Sequence, residues 1–346
     1  MNDEMSVGAM LTEQLDRLFE KSVTHELLTR TEAGAFPQAL WDELENIGVA
    51  AALVPEQTGG VGLAWSECES AWHSMGYHAA PVPLGETMIG RWALARAGLE
   101  APDGPLAVVA EALELDAAGR IGGTDAVVPW AGQAEHLVAV ANRAGESFVC
   151  MLRGADCPSS ASPTIGRIPG ARLRFPAVAP LALAPWQDHA ALGLLPQVAV
   201  LRATQMAGCL DRLLALCVEY GNTRVQFGRP IGKFQAIQHQ IASLAEQAAA
   251  AQVAGRLGCS CIDRGKEEFG AAVAKIRAGQ SAMTGAAIAH QVFGAMGVTD
   301  EHMLHFFTRR LWQWRDEGES EHWWSERLGH RTIDAGGVAL WPALVA

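Results

Sequence analysis

The 346-residue sequence has no cysteine pair at CxxC spacing, no GxSxG, and no P-loop. No uninterrupted apolar run approaches the roughly 18 residues that cross a bilayer. The missing motifs leave hydrolase and nucleoside-triphosphatase readings without support. The missing run leaves a bilayer span without support. Basic charge is scarce as well: 26 Lys and Arg against 38 Asp and Glu give a net charge of −12. Nucleic acid and anionic membranes both need a basic face, so neither is expected as a general partner. The cysteines number seven, an odd count, with Cys259 and Cys261 only two apart. The first twenty residues carry Asp3, Glu4, Glu13 and Asp16, unlike the basic start and apolar core of a secretory leader. Reduced thiols in a soluble, cytoplasmic protein are the simplest expectation.

What is present suits an ordinary folded protein: 49% apolar and 18% charged residues, with length for two or three domains. Residues 1–104 read as a helical domain. In "FPQALWDELENIGVAAALVPEQTGGVG", Pro37 opens a helix, Leu40, Leu44 and Ile47 recur at helical spacing, and Gly48 stops it. Residues 105–190 change character. The short apolar runs "LAVVA", "LVAVA", "SFVCML" and "RLRF" are parted by "AAGRIGG", "NRAGE" and "CPSSASP", which predicts a small β-domain with hairpin connections. Helical pattern returns over 191–346. Ile237, Ile241, Leu244, Ala248 and Ala251 share one helix face aimed at a core or a neighbouring subunit. The alanine-rich stretch from Gly270 to Met296 is expected to be buried on most sides. The fold class is α+β, mostly α, and the order of helices, strands and helices suggests a cofactor held between layers.

Three stretches carry candidate chemistry. In "RVQFGRPIGKFQAIQHQIA", Arg224 precedes Phe227-Gly228 by three residues. A guanidinium forks onto phosphate oxygens and a ring lies against a flat heterocycle. The alternative is a surface helix end with a buried Phe. In "HQVFGAMGVTDEHM", a long helix runs into Gly294 and Gly297, with Gln291 as an amide donor and Thr299 or Asp300 placed to cap the next helix. Glycine lets backbone approach a pyrophosphate closely; a simple helix stop is the competing reading. In "RRLWQWRDEGESEHWW", Asp316 and Glu317 lie between tryptophans. A carboxylate beside indole rings and away from water keeps its proton longer and suits a general base. A solvated acidic turn at a subunit contact fits the same letters. His239, His290, His302, His305 and His322 lie on different elements, and only His302 and His305 share helical spacing, so no metal site is expected.

Taken in order, the blocks resemble the acyl-CoA dehydrogenase family. "FPQALWDELENIGVAAALVPEQTGGVG" is similar to its N-terminal helical signature. "YGNTRVQFGRPIGKFQAIQHQIA" is similar to its most recognisable stretch, and "HQVFGAMGV" to its late Gln-x-x-Gly-Gly-x-Gly segment. The resemblance covers nearly the whole chain. It implies an N-terminal helical domain, a middle β-domain and a C-terminal four-helix bundle. It further implies FAD as cofactor, an acyl-CoA thioester as substrate, and α,β-desaturation with electron-transfer flavoprotein as acceptor. Arg224, Phe227, Phe234, Gln235, Gln291 and Gly294 match positions that hold the adenine and pyrophosphate part of a neighbouring subunit's FAD.

The departures from the family pattern are as informative. Relatives begin the β-domain with Thr-Glu-Pro and a Gly-Ser-rich loop that contacts the flavin ring. Here "PLAVVAEALELDAAGRIGGTDAVV" has neither, so the β-domain reads as reduced. "EGES" resembles the segment that carries the base in some relatives, which makes Glu317 the candidate base with Asp316 competing. Others carry a Glu where Leu201, followed by Arg202, stands here. A chain with the phosphate grip but no ring loop resembles the short subunit of heteromeric acyl-CoA dehydrogenases, including those acting on steroid side-chain thioesters. That implies a second, longer subunit of the same family as partner. An oxidase or monooxygenase of the same fold, or a purely structural subunit, are the alternatives.

Overall fold

The computed structural model describes residues 6–162, 164–186 and 190–345. Asp3, Glu4 and the Pro163 of "CPSSASP" lie outside the described residues. Five helices come first: α1 (Val7–Ser22), α2 (His25–Glu32), α3 (Gln38–Ile47), α4 (Trp65–Tyr77) and α5 (Leu84–Arg96). Local signals start and stop them. Ser6 and Thr24 accept backbone N–H bonds at the heads of α1 and α2. Pro37 stands at the head of α3, and Gly48 ends it. Leu40, Trp41 and Leu44 are the buried face of α3.

The middle strands are β1 (Leu106–Val108), β2 (Leu113–Leu115), β3 (Ile121–Pro129), β4 (His136–Arg143), β5 (Glu146–Arg153), β6 (Ser159–Ala161), β7 (Gly170–Val178) and β8 (Ala182–Pro185). They form one sheet in the order β6-β7-β3-β2-β4-β5-β8, with β1 also on β4. The expected hairpin connections hold for β2–β3, where Leu115 pairs with Ile121 across the turn at 116–120, and for β4–β5, where Arg143 pairs with Glu146 across a two-residue turn. They do not extend to β1: β1 and β2 both run parallel to β4, through Leu106↔His136 and Leu113↔Ala141. Residues 109–112 do not reverse the chain: it continues in one direction and pairs with the two halves of β4 in turn.

The remaining helices are α6 (Leu195–Thr223), α7 (Gln235–Asp263), α8 (Glu267–Phe293), α9 (Leu304–Asp316), α10 (Glu321–Asp334) and α11 (Leu340–Val345). Strands β9 (Val225–Gln226) and β10 (Arg229–Pro230) form a tiny hairpin between α6 and α7. Helices α6 to α9 pack as a bundle around Met206, Leu210, Leu213, Leu244, Ala278, Ala282, Leu304 and Phe307. On α7, Leu244, Ala248 and Ala251 are buried, whereas Ile237 and Ile241 are only half-buried near its head. The alanine-rich α8 buries Ala271, Ala274, Ala278, Ala282, Ala286 and Ala289 at helical spacing. Neither Thr299 nor Asp300 caps α9. The Thr299 hydroxyl turns back to the Met296 carbonyl, and the imidazole of His302 accepts the Leu304 N–H instead. All seven cysteines are unpaired and buried.

The two helical regions lock together where α4 crosses α6. A Cβ added to Gly76 would strike the Gln205 carbonyl, and one added to Gly208 would strike the His73 carbonyl. Backbone thus lies against backbone, and this contact sets the height of α6 and of everything it carries. Replacing Gly208 by Ala forces the helices apart. The expected cost is about 3 kcal/mol, read as a lower urea midpoint at unchanged slope, from overpacking of a filled contact.

Candidate functional site

The end of α6 builds the first site. Arg224 caps the helix, its N–H bonded to the Tyr220 carbonyl, and its carbonyl accepts the Ile231 N–H. The β9–β10 hairpin follows, with Phe227 and Gly228 as its two turn residues at φ +51° and +80°. Both central residues at positive φ is the turn that matches strand twist, and it favours Asn-Gly or Asp-Gly. A phenylalanine in this conformation is strained by roughly 1–3 kcal/mol. The residue is also 90% exposed. Phe227 meets Phe234 edge-on at 6.1 Å, and the Arg229 guanidinium covers Phe234 at 4.2 Å. Opposite them, α8 ends at Gly294, whose φ of +58° and ψ of −136° suit glycine only. A Cβ there would meet nothing, so the space above it is open.

These pieces enclose a cavity of about 420 Å³. Its walls include Arg224, Phe227, Phe234, Gln291 and Gly294, with Tyr220 stacked on Phe293 at 4.3 Å behind them. Five of the residues singled out in the sequence thus meet in one place. Gln235 stands beside it as the first residue of α7. Among the described residues the Arg224 guanidinium has no ion-pair or hydrogen-bond partner in the chain. An unpaired guanidinium, an open glycine and an exposed ring fit the diphosphate and flat base of a nucleotide.

The second site lies between the sheet and the helices, in a pocket of about 360 Å³ walled by Val108, Ala110, Val198, Arg202, Asp316 and Glu317, among others. Arg202 and Glu86 have side chains only 4% exposed, and they are bonded through Nη2 and Oε1. The Arg202 Nε lies 2.6 Å from Oε2 of Glu317 in a close ion pair that is poorly aligned as a hydrogen bond. Gln313 donates to the other Glu317 oxygen. Although burial opposes the charge on Arg202, Glu317 and Glu86 more than offset it and hold the guanidinium protonated. The expected indole surroundings of Glu317 are therefore corrected: both carboxylate oxygens face cationic or amide donors, because α6 places Arg202 directly opposite. Asp316 is exposed at the end of α9. Burial also pulls buried Lys275 down to about 7, against Glu317 and Glu321, which raise it. Its Nζ donates to the carbonyls of Trp314, Arg315 and Glu319, splinting the turn that carries Glu317.

Sequence reading missed this network. Its trace was there: Arg202 in "LPQVAVLRATQM" is a lone charge and Lys275 in "GAAVAKIRAG" one of two on otherwise apolar helix stretches, and such residues must find partners when buried. The two sites lie at opposite ends of one helix. From Arg202 to Arg224 the rise is about 33 Å at 1.5 Å per residue, farther than one dinucleotide reaches. Among the described residues no group of three or more metal-binding side chains converges.

The sequence matches the acyl-CoA dehydrogenase N-terminal domain over residues 8–102 and the acyl-CoA dehydrogenase C-terminal domain over residues 189–314. It is 32% identical over 281 residues to the acyl-CoA dehydrogenase IpdE2 of Mycobacterium tuberculosis, covering 80% of each protein. Among solved structures it resembles a chain of a variant of the Tcur3481-Tcur3483 steroid ACAD, at TM-score 0.85 and 26% identity over 96% of this chain and 98% of that one. The ChsE4-ChsE5 complex from Mycobacterium tuberculosis contains a chain of the same fold, at TM-score 0.86 and 21% identity, covering 96% of this chain and 99% of that one.

Removing one member of a buried ionic network strands the others. Arg202→Met is expected to cost about 3–5 kcal/mol at neutral pH. The triple replacement Glu86→Gln, Arg202→Met, Glu317→Gln should recover most of that loss in urea unfolding. A single variant as stable as the parent would show that the network is not formed.

Proposed function

The chain belongs to the acyl-CoA dehydrogenase family, and from that membership we propose that it is the short subunit of a heteromeric FAD-dependent acyl-CoA dehydrogenase. The family's cofactor is FAD. In this reading the chain clasps the ADP half of a flavin whose ring is seated in a longer partner subunit. The single observation that carries it is the strained, exposed Phe227 beside the unpaired Arg224 in one cavity.

The residues fit the two halves of the cofactor unequally. Arg224 would fork onto phosphate oxygens, Gln291 would donate an amide N–H, and the backbone at Gly294 would approach the diphosphate without a side chain in the way. Phe227 would lie on the adenine face. The ring half does not fit. Residues 109–112 leave no ring-contacting loop between β1 and β2, and the pocket beside them collects Glu86, Glu111, Asp316 and Glu317 around one guanidinium.

FAD, where the complex holds it, supplies the hydride acceptor for α,β-desaturation of an acyl-CoA thioester. This chain's own part is to bind and orient. Glu317 serves as a counter-ion to Arg202, because a carboxylate held at both oxygens must break an ion pair before it accepts a proton. The working base then belongs to the partner. Likeness to a steroid ACAD supports a steroid-derived acyl chain, and a likeness to an electron transferring flavoprotein chain is consistent with a flavoprotein acceptor.

Replacing Arg224 by Ala in the assembled complex is expected to cut flavin content or affinity by at least tenfold, as for loss of a charge-assisted hydrogen bond worth about 1.5–3 kcal/mol. Bound flavin absorbance after gel filtration measures it. Unchanged flavin would favour a purely structural subunit.

A further inference from the structure

Segment 294–303 joins α8 to α9, and its first residues Gly294, Ala295 and Met296 wall the nucleotide cavity. Four histidines hold its surroundings. His302 Nδ1 accepts the Leu304 N–H at 3.1 Å, capping α9 where no Ser, Thr, Asn or Asp does so. Its ring lies 4.6 Å from Phe293, which stacks on Tyr220 in the cavity wall. His25 and His305 each donate Nε2–H to the Asp300 carbonyl, at 2.9 and 3.3 Å. His290 bonds Thr308 at 3.1 Å and stacks on Trp312.

Resting on the reading of that cavity as a nucleotide grip, we propose that His302 is a positioning residue for it. The imidazole of His302 holds segment 294–303 against the cavity only while its Nδ1 is free to accept the Leu304 N–H. A proton taken from solvent onto Nδ1 converts that acceptor into a donor. The Leu304 N–H then faces a second N–H, the first turn of α9 loses its cap, and the contact with Phe293 carries a charge.

The surroundings set the direction. Burial holds the His302 imidazole below the ordinary histidine value, partly opposed by Glu219 on α6. Burial does the same to His305, opposed by its bond to the Asp300 carbonyl and by the Asp300 carboxylate and reinforced by Arg309 and His25. His290 is lowered by burial alone. The Nδ1 atoms of His305 and His290 are buried without a partner, so neither has an acceptor ready for an added proton. A histidine lowered in the fold contributes stability at pH above its unfolded value of about 6.5 and loses it as pH falls through the folded value. The grip is therefore intact at neutral pH and weakens in acid.

The test uses the flavin-loaded complex and reads FAD dissociation together with hydrogen exchange in segment 294–303, near pH 7.5 and near pH 5.5. The parent should lose affinity and protection in acid. His302→Ala should be about fivefold weaker already at pH 7.5, the equivalent of about 1 kcal/mol for a lost cap. His302→Asn keeps a side-chain oxygen acceptor and does not titrate, so it should retain FAD at both pH values. Arg224→Ala, weaker at both, checks the underlying reading. If Arg224→Ala weakens FAD but His302→Ala does not, or if His302→Asn loses FAD in acid as the parent does, the role of His302 is overturned and the nucleotide grip stands. If Arg224→Ala has no effect, the grip itself falls and the inference falls with it.

Discussion

The turn at Phe227–Gly228 holds a bulky side chain in a left-handed conformation and leaves its ring almost wholly in water. Within one chain both choices are unfavourable. The conformation costs roughly 1–3 kcal/mol, and leaving a phenylalanine exposed forgoes about 1.5–3 kcal/mol of burial. Nothing in the hairpin requires a ring there; the β4–β5 turn uses Ala144-Gly145 at similar angles. A surface outside the chain that covers the ring would offset both terms. Arg224, three residues earlier and without a counter-ion, and the open backbone at Gly294 give that surface its chemistry: flat on one side and doubly anionic on the other.

Helix α6 ties this grip to the interior. Its N-terminal half buries Arg202 and binds it to carboxylates from α5 and from the turn after α9. Its crossing with α4 at Gly76 and Gly208 leaves no room for adjustment. The pocket that would otherwise accept a reacting group is thus occupied by an ionic network, while the far end of the same helix walls an open cavity. Lys275 reinforces the division by fixing the backbone around Glu317 through three carbonyls.

The residues that meet in this cavity were legible because they fall in two short blocks, 224–235 and 291–294, and each type has a physical reason to be singled out: a guanidinium, a ring, an amide, and a glycine held at positive φ. The middle sheet was legible as strands, but not the parallel entry of β1 and β2, which depends on their pairing with β4 about 30 residues away rather than on apolar alternation. The surroundings of Glu317 were not legible. Its neighbour Arg202 is 115 positions away, and nearby tryptophans drew attention to a hydrophobic setting that the carboxylate does not have. The cap of α9 was misplaced for a related reason. Thr299 and Asp300 are common capping residues, yet the segment is long enough to let the less usual His302 take the role.

The most direct measurement is an experimental structure of the assembled oligomer with its flavin. The account requires the FAD diphosphate at about 3 Å from the Arg224 guanidinium, with the Phe227 ring covered and the isoalloxazine ring lodged in another chain. A flavin ring bound in this chain's own pocket beside Arg202 and Glu317, with Arg224 and Phe227 left in solvent, would contradict it.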